Sequence, residues 1–238
     1  MSKIVIKNLN KTFEDKVVLS DITISLEERQ SLAIIGGSGS GKSVFIKCAA
    51  GLLVPDEGSL IIIDGEDVSD LHIARRESFR SKFSMLFQGN ALFDSMAIWE
   101  NITFGMDVEI ANAKKIAIEK LAMVEIDESV AYMYPSEISG GMQKRVALAR
   151  AIASDPQIIF FDEPTSGLDP ATSKAISNLI QDLRHKLRAT VITVTHDDNC
   201  MKTVADTVAV LNNGRLSWSG TLKDALVSND PYLKDFLE

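Results

Sequence analysis

The chain has 238 residues, 45% of them hydrophobic and 24% charged, a globular composition rather than a disordered one. Its formal net charge of −8 offers no overall basic field to DNA, RNA or an anionic bilayer, so no nucleic-acid partner is expected. With only Cys48 and Cys200 a disulfide framework is excluded, and both are expected to be buried, inert thiols in a reducing cytosolic setting. The N-terminal MSKIVIKNLNKTFEDK interrupts each apolar run with charge and reads as neither signal nor transit peptide. The longest strongly apolar stretches fall far short of the ~20 residues of a spanning helix. If the protein serves a membrane, another chain must supply the helices.

In chain order, KIVIKNL and SDITISLE alternate like half-buried strands, and GSLIIIDGEDV reads as a strand entering an Asp-Gly turn; together they predict an antiparallel β layer. SLAIIG is instead continuously apolar, as in a strand covered on both faces, and runs into GGSGSGKS, with a helix expected from Lys42. From Ile110 the spacing of Ala113, Ala117, Leu121 and Val124 predicts a helix whose apolar face includes Ile110. A second helix should open behind ISGG and carry Val146, Ala149, Arg150 and Ala153. QIIFFDEP and TVITVTH read as buried strands joined by a helix with Ile176, Leu179, Ile180, Leu183 and Leu187 on one side, and this alternation predicts a parallel sheet. The tail reads as a strand-turn-strand, TVAVLNNGRLSWSG, and a short helix near 222–227. One core with an inserted subdomain fits the length.

The segment Gly36, Gly37, Ser38, Gly39, Ser40, Gly41, Lys42, Ser43 satisfies the G-x-x-x-x-G-K-[ST] pattern between a predicted strand and helix. A chance match in a chain this long is on the order of one in a hundred from average residue usage. The pattern suits triphosphate binding: backbone N–H groups wrap the phosphates, Lys42 reaches the β/γ oxygens and Ser43 binds Mg²⁺. IIFFDE ends in two carboxylates where ligands bind in open α/β folds. Asp162 would hold Mg²⁺, usually through water, and Glu163 would polarise the attacking water. A helix N-cap acid beside PTSG could explain one of them but explains two poorly. His196, ending the next strand, can emerge at the same edge to contact a γ-phosphate or orient water, although a lone His is more often structural. Gln88, after FSMLF, could supply an amide oxygen to Mg²⁺ or water. Ser139, Gly140 and Gly141 form a second anion site at a helix start.

Taken in order, the glycine loop, Gln88, ISGG, IIFFDEP, SGLD and His196 resemble the ATP-binding subunits of ABC transporters along essentially the whole chain. The resemblance implies an α/β P-loop NTPase core with a mainly parallel sheet, an N-terminal antiparallel β layer and an inserted α-helical subdomain. A single ABC ATPase domain would span 1–238, with its core in 1–87 and 155–238 and the helical subdomain in 88–154. By the same resemblance, Ser139, Gly140, Gly141 and Met142 contact ATP held by the glycine loop, through Val44, of a second copy. Asp169 in SGLD lies near the partner's site, and Phe13 stacks on adenine in place of the usual Tyr. ATP is then glue in a homodimer. The segments SMLFQGNALFDSMAIWENITFG and YPSEISGGM are similar to the ATPase of the Mla (maintenance of lipid asymmetry) phospholipid system, in which Met replaces the usual Gln after Ser-Gly-Gly. That likeness implies a permease pair, an MCE-domain lipid binder, often a STAS-domain subunit, and a peripheral place on the cytoplasmic face of the inner membrane.

Leu92, Phe93, Met96, Ile98, Trp99 and Phe104 suit either an ordinary core or a groove for a permease helix, and the resemblance favours the groove for the segment as a whole. The tail after Gly220 is expected to leave no room for a substantial regulatory domain. The competing classes are a motor for another cargo, such as an amino acid or drug, and a soluble kinase, repair or translation ATPase. Kinases lack the Ser-Gly-Gly helix, repair ATPases carry long coiled coils, and translation ATPases usually join two motor copies.

Overall fold

The computed structural model describes residues 2–69 and 83–237. Two sheets form its frame. Strands β1 (Ser2–Phe13), β2 (Lys16–Glu27), β4 (Leu60–Ile63) and β5 (Glu66–Asp67) make an antiparallel sheet of order β2-β1-β4-β5. The second sheet has the order β10-β9-β3-β8-β7-β6, built from β3 (Ser31–Ile35), β6 (Phe83–Leu86), β7 (Ile158–Asp162), β8 (Thr190–Thr195), β9 (Thr207–Asn212) and β10 (Arg215–Thr221). All its pairings are parallel except the β9–β10 hairpin. The mixed α/β architecture predicted from the sequence is therefore present.

Strands β3, β7 and β8 are buried at every residue, and their alternate side chains feed different cores. Leu32, Ile34, Phe160 and Ile192 meet Ile4, Ile6, Ile22 and Ile61 of the antiparallel sheet across helix α1 (Lys42–Ala49). Ile159, Phe161 and Val191 face the opposite side, where α5 (Pro170–Leu187) contributes Ile176, Leu179, Ile180 and Leu183. Cover on both faces is why these strands read as unbroken apolar runs, while β1 and β2, wet on one face, alternate.

The helical segment contains α2 (Ile98–Ile102), α3 (Ile110–Met123) and α4 (Gly140–Ala151), with two 3₁₀ turns, Glu128–Tyr132 and Pro135–Glu137, before α4. Ala113, Ala117, Leu121 and Val124 are buried as the periodicity required, but Ile110 is 66% exposed. It is the first residue of α3, where the helix has not yet reached the neighbours that cover its next turn. After α6 (Asp198–Val204), the tail holds α7 (Leu222–Leu226) and a further helix, α8 (Pro231–Leu237), that periodicity did not reveal. Leu233 anchors α8 against Ala33, Ile35, Met201 and Val210. Among the described residues no helix is long and apolar enough to cross a membrane.

Candidate functional site: a phosphate cradle and a carboxylate pair

The loop after β3 turns tightly between the sheet and α1. A Cβ on Gly36 would lie 2.3 Å from the Leu211 carbonyl oxygen and 2.6 Å from Ser40 Oγ, so glycine alone fits. Gly41 has φ 106°, a left-handed conformation that glycine adopts without Cβ strain, and it starts α1 with no side-chain cap. The first N–H groups of α1 are thus left for a ligand. Lys42 folds back over the loop, its Nζ donating to the carbonyls of Gly36 at 2.7 Å and Gly37 at 3.1 Å.

The carboxyl ends of β7 and β8 complete the site. Ser43 Oγ donates to Asp162 Oδ1 at 3.2 Å. Burial pushes the Asp162 carboxyl above its ordinary range, opposed by the Ser43 hydrogen bond and by the charges of Lys47 and Lys42. Glu163 follows with φ 51°, a left-handed backbone that costs a non-glycine residue ~1–2 kcal/mol and directs the chain out of the strand. Its N–H still bonds the Val194 carbonyl at 2.9 Å, holding the kink against β8. Glu163 Oε2 lies 2.6 Å from His196 Nδ1 and accepts from the His196 N–H at 3.3 Å, while Oε1 is 3.9 Å from Lys42 Nζ. Glu163 and His196, read from the sequence as having separate tasks, form one hydrogen-bonded pair.

These groups line a cavity of about 710 Å³. Its walls include Gly36, Gly37, Ser38, Gly39, Ser40, Gly41, Lys42, Ser43 and Val44, with Gln88, Glu163 and His196. Asp162 stands behind Ser43. The donor set fits a nucleoside triphosphate with Mg²⁺: uncapped N–H groups, an ammonium, and a hydroxyl–carboxylate pair. Ser40 Oγ is buried without a hydrogen-bond partner among the described residues. Mg²⁺ keeps waters and phosphate oxygens as most of its ligands, so one carboxylate beside a hydroxyl is enough protein for it. Ser43 and Asp162 could hold it, with Gln88.

Three cavity residues escaped the sequence reading: Val18 from β2, and Tyr232 and Phe236 from α8. The two rings stack at 6.2 Å, and their i, i+4 spacing in PYLKDF was the available signal. Conversely, Phe13, Ser139, Gly140, Gly141, Met142 and Asp169 are not walls of this cavity. Phe13 is 43% exposed, with Lys11 Nζ 5.3 Å from its ring centre. Ser139 and Gly140 are exposed at the start of α4, where Ser139 Oγ caps the helix by accepting from the Met142 N–H at 3.3 Å. Asp169 caps α5, accepting from the N–H groups of Ala171 and Thr172 and from Thr172 Oγ1. That Thr172 hydroxyl bond, foremost, lowers the Asp169 pKa. The two helix starts adjoin, since a Cβ on Gly141 would meet Thr172 Cγ2 at 3.3 Å.

An uncapped glycine loop after a buried parallel strand, faced by carboxylates from the strand two places along the sheet, defines a P-loop nucleotide-binding protein. Residues 19–166 match the family model for ABC transporters, and the chain belongs to that family. It is 39% identical over 238 residues to the "Probable ribonucleotide transport ATP-binding protein mkl" of Mycobacterium tuberculosis, a match covering 98% of this chain and 65% of mkl. This chain therefore spans about two thirds of that relative's length. It is 37% identical to the methionine import ATP-binding protein MetN of Clostridium tetani, covering 98% of this chain and 74% of MetN. Among solved structures, the ATP-binding cassette MJ0796, seen as a dimer in a post-hydrolysis state with ADP and Pi, superposes with TM-score 0.84 at 30% identity over 92% of this chain and 98% of the other. CbiO1 of Clostridium perfringens, part of the ABC transporter complex cbiONQ, gives 0.85 at 26% identity over 100% and 95%. The fold is that of the ABC ATPases.

Proposed function

We propose that the chain is the ATP-hydrolysing motor subunit of a membrane transporter, working as a homodimer on the cytoplasmic face of the inner membrane and moving phospholipid through a separate permease pair. The observation that carries the motor reading is the meeting of four strand ends, those of β3, β6, β7 and β8, on one cavity holding Lys42, Gln88, Glu163 and His196. The chain works as one ABC domain, with a core in 1–87 and 155–238 and a helical subdomain in 88–154.

Catalysis follows from the side chains present. The α1 N–H groups and Lys42 take the phosphates, Lys42 exchanging its bonds to the Gly36 and Gly37 carbonyls for phosphate oxygens. Ser43 and Asp162, with Gln88, would hold Mg²⁺, which would supply positive charge to offset that of the phosphates. Glu163, turned from His196 towards water, takes a proton as the water oxygen attacks the γ-phosphorus. The bond to the β–γ bridging oxygen breaks, leaving ADP and inorganic phosphate. His196, released from Glu163, is free to donate to the γ-phosphate.

The segment of exposed Ser139 and Gly140 and half-buried Gly141 and Met142, with Asp169 beside it, meets ATP held by the other copy, and Phe13 supplies a face to adenine. Hydrolysis removes the shared γ-phosphate, so the closed dimer loses its differential affinity and reopens. A second cavity of about 510 Å³, between Met85, Ile102, Phe104, Met106 and Arg150, supports the docking of a permease helix. Phospholipid as cargo, with MCE-domain and STAS-domain partners, rests on the Mla-like sequence segments. The names of the relatives, ribonucleotide and methionine transport, favour a soluble cargo as the second reading.

Reconstitution with the permease encoded beside this chain tests the choice. Fluorescent phospholipid transfer between vesicles that needs ATP, and stops with Glu163→Gln, is expected. ATP-dependent uptake of a small solute with no lipid transfer would replace the phospholipid reading and leave the motor reading standing.

A further inference from the structure

Helix α4 is joined to the segment after Gln88 by two cationic side chains that the nucleotide chemistry does not use. Lys144 is buried, and its Nζ donates to the Gln88 carbonyl at 3.3 Å, the one acceptor found for it among the described residues. Arg150, two turns further along α4, sends one guanidinium nitrogen to the Asn90 carbonyl and the other to the Ala91 carbonyl, each at 2.7 Å. Asn90 and Ala91 have φ 59° and 52°, and a left-handed alanine is a conformation that persists only when its surroundings impose it. The fork of Arg150 supplies that imposition by meeting both carbonyls at once.

A buried ammonium held by a single carbonyl is an expensive choice for packing alone, because a Met of similar length would fill the same space without desolvating a charge. Burial does push the Lys144 ammonium below its ordinary range. Immediately beyond Ala91, Asn101 fixes the rest of the segment, accepting from the Phe93 N–H and donating to the carbonyls of Phe93, Met96 and Ala97. The Gln88 side chain at one end of this clamped stretch lines the nucleotide cavity, and Arg150 itself lines the groove beside Phe104 and Met106.

We propose that Lys144 and Arg150 are positioning residues that act through Gln88: by fixing the backbone from Gln88 to Ala91 to α4, they set where the Gln88 amide stands in the nucleotide cavity. The inference rests on the proposed role of Gln88 towards Mg²⁺ or water.

The test is a double-mutant cycle on the ATPase activity of the full chain, with Lys144→Met and Arg150→Met each made alone and with Gln88→Ala. Each single variant is expected to lower kcat about 10-fold and to raise the Mg²⁺ concentration for half-maximal activity several-fold. ATP affinity measured without turnover should stay within about twofold, because the loop and Lys42 are untouched. In the Gln88→Ala background, adding either change should cost less than about twofold, since the group being positioned is gone. A purely structural role would multiply the losses and move the melting temperature in step with kcat. That result overturns the inference while leaving Gln88 its place in the site. If Gln88→Ala alone leaves kcat and the Mg²⁺ dependence unchanged, both the inference and the Gln88 assignment fall. Should Lys144→Met not fold, Arg150→Met carries the same cycle, and Arg150→Lys, which can reach only one of the two carbonyls, is expected to lie between it and the parent.

Discussion

The glycine loop and the Ser139 segment are both glycine-rich helix starts, yet the chain treats them oppositely. The first is built inward: Leu211 crowds Gly36, Lys42 closes over the loop, and Glu163 and His196 complete the cavity from the ends of β7 and β8, with Asp162 behind Ser43. The second faces outward, with Ser139 capping its own helix and, among the described residues, no acidic or basic side chain bonded to it. One half is organised within the chain; the other, in the proposed dimer, offers its donors to a ligand held by a second copy. In the dimer MJ0796 the same fold pairs with a copy of itself, and an isologous pairing of this kind would bring each open half to the other copy's closed one.

The largest expected effect breaks the chemistry in the closed half. Glu163→Gln keeps the side-chain volume and removes the base, so kcat should fall by about 10²-fold or more while ATP affinity stays within a few-fold. Phosphate release together with a fluorescent-nucleotide titration measures both. Lys42→Ala should act in the opposite sense, weakening ATP binding, since it deletes the ammonium that covers the loop. Equal loss of affinity in both variants would show that the closed half does not separate binding from hydrolysis.

Next in size is the open half. Ser139→Arg places a long cation on an exposed helix start, so the melting temperature should move by no more than a few degrees. ATP binding by the single chain should persist. Turnover and ATP-dependent dimerisation, read by light scattering in the Glu163→Gln background, should both be lost. A Ser139→Arg chain that dimerises normally with ATP removes the open half from the site.

How much of this was legible in the sequence follows the same division. The cradle was readable because its chemistry is local: the Lys and the glycines must be neighbours in the chain for one loop to wrap a phosphate. Asp162, Glu163 and His196 were readable because a buried parallel strand announces itself as an apolar run, and ligands gather at the ends of such strands. Contacts between distant segments left no such trace. Nothing periodic in residues 88–91 announces the bonds from Lys144 and Arg150, and in α8 the single i, i+4 pair Tyr232 and Phe236 does not say which cavity it walls. Ile110 was misassigned because periodicity gives the direction of a side chain without saying whether the neighbouring element reaches that far. The clasp of Glu163 on His196 depends on a left-handed kink that no residue pattern encodes.

A smaller effect tests whether the closed half is poised for a cation. The folded pKa of Asp162 lies above its unfolded one because burial disfavours the charged form. The burial cost is therefore absent below the unfolded carboxylate range and fully present above the folded value, so stability falls as pH rises through that acid window. In EDTA at pH 7, Asp162→Asn should melt higher than the parent, by on the order of 2 °C, and the difference should vanish in acid. With Mg²⁺ and ATP the order should reverse, because a cation beside Ser43 relieves the cost only where the carboxylate exists. A variant that melts lower than the parent in EDTA would mean that the Ser43 bond outweighs desolvation.

The smallest effect reads the two halves with one reagent. Cys48 on α1 and Cys200 on α6 are both buried, and burial pushes each thiol to about 12, so at pH 8 almost no thiolate exists and neither is reachable. The parent chain should take up essentially no alkylating reagent until it is unfolded, and then two equivalents. A Ser139→Cys variant adds one thiol at an exposed helix start, where the N–H groups and helix dipole favour the thiolate, so it should label at once. Addition of ATP in the Glu163→Gln background should then protect that thiol while Cys48 and Cys200 stay silent as before. Labelling of Cys48 at the same rate would show that the cradle opens as freely as the exposed segment, and the contrast between a prebuilt half and a waiting half would have no physical basis.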